Sequence, residues 1–368
     1  MKILQQDNIG THYRAAIYRL MDKELECDFC FGDKVDDIKK MDYSLLSHKV
    51  IEVHNKLLWK GVYYQEAVPA LIRANYDAYI FIGETRCLST WLFLFRSVFY
   101  PKKQIYFWTH GVLGKAGLGK RLLHRFFYSF CDGVFVYNER STKLLAEEGI
   151  PARKLHTIYN SLDYDAQLLI RKALKPSDLY QKHFGNDNKN IVFIGRLTKV
   201  KRFDLLIDAV AELKQRCELV NVTFVGDGVE RHSIEQRVDE LGIREQVWFF
   251  GASYDEQRNA EIIFNADVCV SPGNIGLTAM HVLMFGCPAI THDDFDHQMP
   301  EFEAIQDGKS GTFFKAGDST SLADTLHDWF VNHADDREEV RQACYAEIDG
   351  KWNPHNQIRI FKEVLKGK

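Results

Sequence analysis

No run of apolar residues in this sequence approaches the roughly 20 needed to span a bilayer. The most apolar segment, LSTWLFLF (88–95), is short and flanked by Arg86 and Arg96. The amino terminus, MKILQQDN, turns polar almost at once, unlike a secretory leader. Cysteine pairs are scarce as well. Of eight cysteines only Cys27 and Cys30 lie close together, with no second pair and no nearby histidines at zinc spacing. That argues against a disulfide scaffold or a zinc module and for ordinary reduced thiols. The expectation is a cytoplasmic protein, with peripheral attachment to the inner face of the cytoplasmic membrane left open.

Acidic residues are missing from one long window. None occurs between Glu84 and Asp132, while that interval holds eight bases: Arg86, Arg96, Lys102, Lys103, Lys115, Lys120, Arg121 and Arg125. The first 165 residues carry 23 Lys+Arg against 19 Asp+Glu, and the remainder 24 against 32, so a basic-leaning front half precedes an acidic back half. Such a window is either a solvated basic surface or the footprint of an anionic partner such as phosphate, acidic lipid or nucleic acid.

Within it, GKAGLGKR (114–121) differs from a nucleoside-triphosphate loop at one position, where Arg121 replaces the Ser or Thr that would hold Mg²⁺. No hydrophobic strand ending in a metal-binding Asp offers a partner in this half, so no triphosphate site is expected. The following stretch reads as an amphipathic helix. Leu118, Leu122, Leu123, Phe126, Phe127 and Phe130 fill one half of the helical wheel, and Lys120, Arg121, His124 and Arg125 the other. Two accounts stand: core packing with a solvated basic face, or an acceptor-side surface that meets anionic lipid or a lipid-linked diphosphate. Trp91, Phe93, Phe95, Phe99 and Tyr100, beside Lys102 and Lys103, would suit the second.

What the sequence does contain is alternation. With 368 residues, 46% of them hydrophobic and 27% charged, it suits a soluble globular chain of two domains. Strand-like runs near 2–5, 27–31, 49–53, 78–82, 104–109, 133–137 and 155–159 are separated by helix-like runs at 11–23, 56–74, 118–130 and 140–148. A polar stretch, 174–189, with Pro176 and Gly185 reads as a linker. A second alternation follows in NIVFIG, NVTFVG, QVWFFG, DVCVSP and PAITH, strands interleaved with helices. The pattern predicts an α/β protein of two Rossmann-like, doubly wound domains facing across a cleft, with ligand at the carboxyl ends of the strands. The expected limits are 1–173, linker 174–189, 190–350, and a final helix within 351–368 that crosses back to the first domain.

Three motifs carry chemistry. In IGRLTKVKRF, Arg196 and Lys201 stand on the loop between a strand and a helix start, where two cations suit a diphosphate. In VGDGVE, glycines flank Asp227 at a tight turn. In SPGNIGLTAMH, Gly273 and Gly276 leave the backbone bare before a helix whose first amides, Leu277 and Thr278, could hold an anion.

The order G-R-L-x-x-x-K, V-G-x-G, A-D-V-x-V-S-P, G-L-x8-G-x-P and E-x-I-x-D-G-x-x-G over 190–315 resembles the retaining nucleotide-sugar glycosyltransferases of family 4, which have the GT-B fold. The front half matches loosely, at Gly10, His110 and YNSLD (159–163). The resemblance implies that Arg196 and Lys201 hold the donor diphosphate, that Gly276, Leu277 and Thr278 supply amides to it, and that Phe250 and Gly251 line the nucleobase. It implies further that Gly10 lets a loop approach the phosphates and that His110 lies near the donor sugar. Lys115, Lys120, Arg121 and Arg125 would then face the acceptor or a membrane.

The family's Glu-x7-Glu is altered here to Gly273 and His281. His281 could hydrogen-bond the ribose in place of the second glutamate, while Asn274, Glu301 and Glu303 are the polar groups expected near the sugar. Glu303 also matches a glutamate of the family's E-x-I-x-D-G segment. The implied activity is transfer of a sugar, with retention, to a glycan or lipid-linked glycan in surface polysaccharide synthesis. No metal, cofactor or nucleic acid is expected. A sugar-nucleotide 2-epimerase and a non-catalytic nucleotide- or glycan-binding partner of a transferase are the alternatives.

Overall fold

The computed structural model describes residues 1–35, 38–114 and 117–367. Lys115, expected on the acceptor side, lies outside them. The chain divides into two compact units, Met1–Asp163 with Asn353–Lys368, and Tyr164–Trp352.

The first unit is built on strands β1 (Ile3–Asp7), β2 (Cys27–Gly32), β3 (Val50–Val53), β6 (Ala78–Ile82), β7 (Gln104–Thr109), β8 (Gly133–Val136) and β9 (Leu155–Thr157). They form one parallel sheet in the order β3-β2-β1-β6-β7-β8-β9. Side chains alternate between its faces, as the pleat requires. Tyr79, Phe81, Ile105 and Phe107 bury one face under α2 (Leu88–Ser97), α3 (Leu118–Ser129) and α4 (Glu139–Glu147). Ala78, Ile80, Tyr106 and Trp108 bury the other under α1 (Ala15–Leu25) and α13 (Pro354–Lys366). A parallel sheet covered on both sides needs such continuous apolar runs. Helix α13 is fastened by Phe361, fully buried with ring centroids 5.3 Å from Trp108 and 4.6 Å from Phe135.

The helix expected over 56–74 is instead a hairpin of β4 (Asn55–Trp59) and β5 (Val62–Gln65), followed by a short 3-10 turn. Lys60 and Gly61 both take positive φ, 43° and 78°, the geometry of a two-residue hairpin turn. Val62, Tyr63 and Tyr64 favour the extended chain on its far side.

The second unit carries β10 (Lys189–Ile194), β11 (Val220–Val225), β12 (Val247–Gly251), β13 (Val268–Val270), β14 (Ala289–His292) and β15 (Gly311–Phe314), all parallel, in the order β12-β11-β10-β13-β14-β15. Helices α7 (Phe203–Gln215), α8 (Arg231–Glu240), α9 (Glu256–Asn265), α10 (Leu277–Met284), α11 (Ser319–Asn332) and α12 (Arg337–Gly350) connect or follow them.

The expected linker is part of this unit, together with the helix before it. Residues 164–189 hold α5 (Tyr164–Ala173), which packs on α9 and α10, and α6 (Leu179–Phe184). The Tyr180 hydroxyl donates to the Ile262 carbonyl (2.8 Å) and the Ser177 amide to Asn265 Oδ1 (2.8 Å). A polar composition reads as linker, but these bonds tie the segment to α9.

Phe361→Ala should lower unfolding free energy by about 3–5 kcal/mol, the usual cost of emptying a buried aromatic site. Urea denaturation checks this; a loss below about 1 kcal/mol would show that α13 is not fastened through this ring.

Candidate functional site

Each sheet reverses its strand order once, between β1 and β6 in the first unit and between β10 and β13 in the second. The loops that leave the two central strands at such a reversal are the usual ligand position in doubly wound sheets.

In the second unit these loops are pressed together backbone against backbone. A Cβ on Gly226 would lie 1.9 Å from the Gly195 carbonyl oxygen, and one on Gly273 would lie 1.9 Å from that of Val200. No side chain fits at either place. The Gly273 amide donates to the Lys201 carbonyl (2.8 Å), and the Lys201 ammonium reaches back to the carbonyls of Asn274 and of Ile275 (3.1 Å). Lys201 therefore braces the turn before α10. Burial lowers its pKa to about 8, with Arg196 pushing the same way, against the opposing pull of Cys269 and the buried Glu301. Arg196 is exposed and makes no ion pair among the described residues.

The turn ends at Gly276 (φ 54°), the N-cap of α10, which offers no side chain to the helix amides. The first-turn amides, Leu277 and Thr278 among them, form the positive end of the helix. The Thr278 hydroxyl donates to the Ile194 carbonyl (3.2 Å), pinning α10 to the end of β10. Structure thus brings Arg196, Lys201, Asn274, Gly276, Leu277, Thr278 and Glu301 into one neighbourhood.

The remaining expected donor residues are placed as follows. Phe250 and Gly251 close β12, two strands away; the Phe250 ring lies 5.7 Å from the Arg258 guanidinium. His281, one turn into α10, is paired through Nε2 with Glu256 Oε1 (3.0 Å), which also accepts from Gln167 Nε2 (2.8 Å). Burial acts to raise the Glu256 carboxyl, yet the bonds from His281 and Gln167 outweigh it and hold the pKa below its ordinary value. Glu301 and Glu303 stand on a 3-10 turn, Pro300–Ala304, not on an open loop; Glu301 is buried and Glu303 half-buried.

Three residues escaped the sequence. Glu256 and Gln167 have no local motif, because α9 and α5 bring them to His281 from distant positions. Gln298 is buried in the polar run expected to face sugar. Its Oε1 accepts from the Ile275 amide (3.0 Å) and its Nε2 donates to Thr291 Oγ1 (2.8 Å), so it shapes the turn before α10 from the opposite side to Lys201.

In the first unit, β1 ends in a buried ion pair. Arg14 Nη1 donates to Asp7 Oδ2 (2.8 Å), which also accepts from the Tyr18 hydroxyl (2.9 Å). The guanidinium also bonds the Tyr137 hydroxyl and lies 5.0 Å from the Trp108 ring centroid. His110 follows β7, its ring 4.8 Å from that of Tyr137. Burial, then Arg14, push its pKa down to about 3, so the imidazole is neutral at physiological pH. Gly10 has a packing reason of its own: a Cβ there would meet Tyr43 at 2.7 Å and Phe31 at 2.9 Å.

Helix α3 departs from its expected core face. Phe127 is buried, but Leu118 (72% exposed), Leu122, Leu123 and Phe126 are open to solvent. His124, assigned to the polar half, is buried instead and bonded to Glu148 (2.8 Å). The helix presents His124, Phe127 and Tyr128 inward, where Glu148, just past the end of α4, supplies a carboxylate for the imidazole. Its outward apolar row continues onto α2 and the turn after it, where Leu92, Phe95, Val98 and Phe99 (82%) are exposed. Rings join the two helices, Trp91 to Phe126 (5.8 Å) and Phe95 to Phe130 (5.7 Å). Lys120, Arg121 and Arg125 are exposed on α3. Among the described residues no helix is long and apolar enough to cross a membrane, and no group of three metal-ligating side chains stands together.

Two parallel-sheet units of this kind define the GT-B fold. Over all of both chains the protein superposes on the structure of Anabaena Alr3699/HepE in complex with UDP, with TM-score 0.75 and 17% identity. Residues 177–347 match the family described as glycosyl transferases group 1. It is 27% identical over 202 residues to EpsD of Bacillus subtilis, a protein named for glycosyltransferase activity, covering 53% of this chain and 50% of that one. It is 22% identical to a 41.2 kDa protein of the Klebsiella pneumoniae cps region, covering 72% and 66%. The chain thus spans half to two thirds of the length of these relatives.

Lys201 gives the site a pH signature. Its positive charge is lost as pH rises through about 8. Affinity for sulfate, an anion whose own charge does not change in this range, should be constant up to about pH 7 and fall by up to tenfold per unit above about 8, whereas Lys201→Arg should hold it level to pH 9. Calorimetry at four pH values reads this out; a flat wild-type profile would contradict the placement of Lys201 at the anion.

Proposed function

We propose that the protein is a glycosyltransferase that moves a sugar from a nucleotide-diphosphate sugar to a glycan or lipid-linked glycan acceptor in surface polysaccharide synthesis. The observation that carries this is the constellation of Arg196, Lys201 and the bare Gly276 turn at the strand reversal of the second sheet. Two cations and a helix N-terminus there meet the charge of a departing diphosphate, the electrostatic work that cleavage of the sugar–phosphate bond requires. The family match over 177–347 supports it, as does the UDP held by the structural relative.

In this account the donor diphosphate lies against Arg196, Lys201 and the amides of Leu277 and Thr278. The Glu256–His281 pair serves the nucleotide ribose, and Asn274, Glu301 and Glu303 serve the sugar side. Phe250 and Gly251 border the base. The acceptor hydroxyl attacks on the face the nucleotide leaves, a leaving phosphate oxygen takes its proton, and configuration is retained without a metal. His110, uncharged at working pH, acts as a hydrogen-bonding partner to a sugar hydroxyl rather than as an acid.

A relative from Campylobacter jejuni, 24% identical over 226 residues, is named for an acceptor linked through diphosphate to undecaprenol. A lipid-linked acceptor suits the exposed apolar row of α2 and α3 with its cations Lys120, Arg121 and Arg125. We take that face as a peripheral contact with an anionic membrane.

Arg196→Ala or Lys201→Met should reduce donor turnover by about 10²–10³, the range for losing a donor to transition-state charge. Their circular dichroism should stay wild-type; turnover within threefold of wild type would refute the diphosphate assignment. Replacing Lys120, Arg121 and Arg125 together by Glu should abolish sedimentation with phosphatidylglycerol vesicles. Binding that ignores those changes would remove the membrane contact.

A further inference from the structure

The strand reversal of the first sheet has a crevice of its own. A cavity of about 350 Å³ opens where Asn8 leaves β1 and Glu84 and Arg86 leave β6, with Lys34 after β2 and Leu57 and Tyr63 of the hairpin completing its wall. It lies wholly within the first unit.

The wall is fixed before any ligand arrives. Asn55, at the base of the hairpin, donates to the carbonyls of Asn8 (2.7 Å) and Lys34 (2.9 Å) and accepts from Gln65 (2.8 Å). Gln65 in turn accepts from the buried Gln6 (2.7 Å). One side chain thus locks the loops after β1 and β2 to the hairpin, at the carboxyl ends of neighbouring strands.

The lining chemistry is that of a charged sugar site. Glu84 is half-buried, its Oε2 3.5 Å from the Tyr63 hydroxyl, and an acidic group of this kind pairs with the hydroxyls of a sugar ring. Arg86 and Lys34 are exposed at the mouth and enter no ion pair among the described residues. The nearby Asp33 does not neutralise them through its carboxylate, which bonds His54 (2.6 Å) and the Asn55 amide (2.9 Å). Gly61 leaves the room that the Arg86 guanidinium occupies, since a Cβ there would lie 3.1 Å from Nη1. Cations at the mouth with a carboxylate and an amide inside match a ring of hydroxyls that bears a negative group.

We propose that this cavity binds an anionic sugar of the acceptor, a hexose carrying a phosphate or a carboxylate. The proposal rests on the transferase reading above for the word acceptor, but the binding itself does not depend on turnover.

Saturation-transfer NMR on the full chain, with UDP present to fill the donor site, tests it with three probes: glucose 1-phosphate, glucuronate and methyl glucoside. Glucose 1-phosphate or glucuronate should bind at least fivefold more tightly than methyl glucoside, and whichever is tighter identifies the negative group. In the double variant Lys34→Gln, Arg86→Gln that preference should vanish, while UDP affinity stays at the wild-type value. Equal binding of methyl glucoside, no binding of either anionic sugar, or an undiminished preference in the double variant would overturn the proposal. Failure of UDP to bind the wild-type chain would instead count against the donor reading, and the three sugars could then be compared without it.

Discussion

The arrangement of the second unit depends on one interaction, the Lys201 ammonium held against the carbonyls of Asn274 and Ile275. A lysine lifted out of water by burial is unstable as a cation unless oxygens surround it. Two of those oxygens come from the turn before α10, and two glycines let the turn come close enough to provide them. Remove the ammonium and the turn loses its brace. Add a side chain at Gly273 and it cannot approach. Gln298 works from the other side, capturing the Ile275 amide. The amides that begin α10 are thus oriented with no ligand present, the preorganisation on which the proposed diphosphate binding would draw.

The first unit solves a related problem with an ion pair instead of a lone cation. Asp7 and Arg14 are both buried, and Tyr18 and Tyr137 add a hydrogen bond to each, leaving the buried Arg14 Nε without a partner. Such a pair adds little net stability but is costly to break. It also acts on its neighbour: burial first, and then the guanidinium, keep the His110 imidazole neutral. Each unit thus places a cation at the carboxyl ends of its strands, one facing an expected anion and the other setting the state of a histidine.

Much of this was legible in the sequence, and the reasons differ from place to place. The strands stood out because a sheet covered on both faces requires unbroken apolar runs, and the turns of the second unit because their glycines are forced by backbone contact. The hairpin at Asn55–Gln65 was hidden, since its Leu-Leu-Trp run reads equally well as a helix until the Lys60–Gly61 turn is weighed. The apolar half of α3 was legible as a stripe but not as an exposed one; only the Glu148 carboxylate, just past the end of α4, decides that His124 turns inward. Glu256 and Gln167 meet His281 through tertiary contacts that no spacing encodes.

The most direct test of the central claim is to watch the amides that the Lys201 brace orients. On a deuterated, ¹⁵N-labelled chain, adding UDP should shift the resonances of Leu277 and Thr278 saturably. In Lys201→Met the same addition should leave them nearly still at matched concentrations. If UDP binds the wild-type chain and those two amides do not respond, the diphosphate lies elsewhere and the account of the site is wrong.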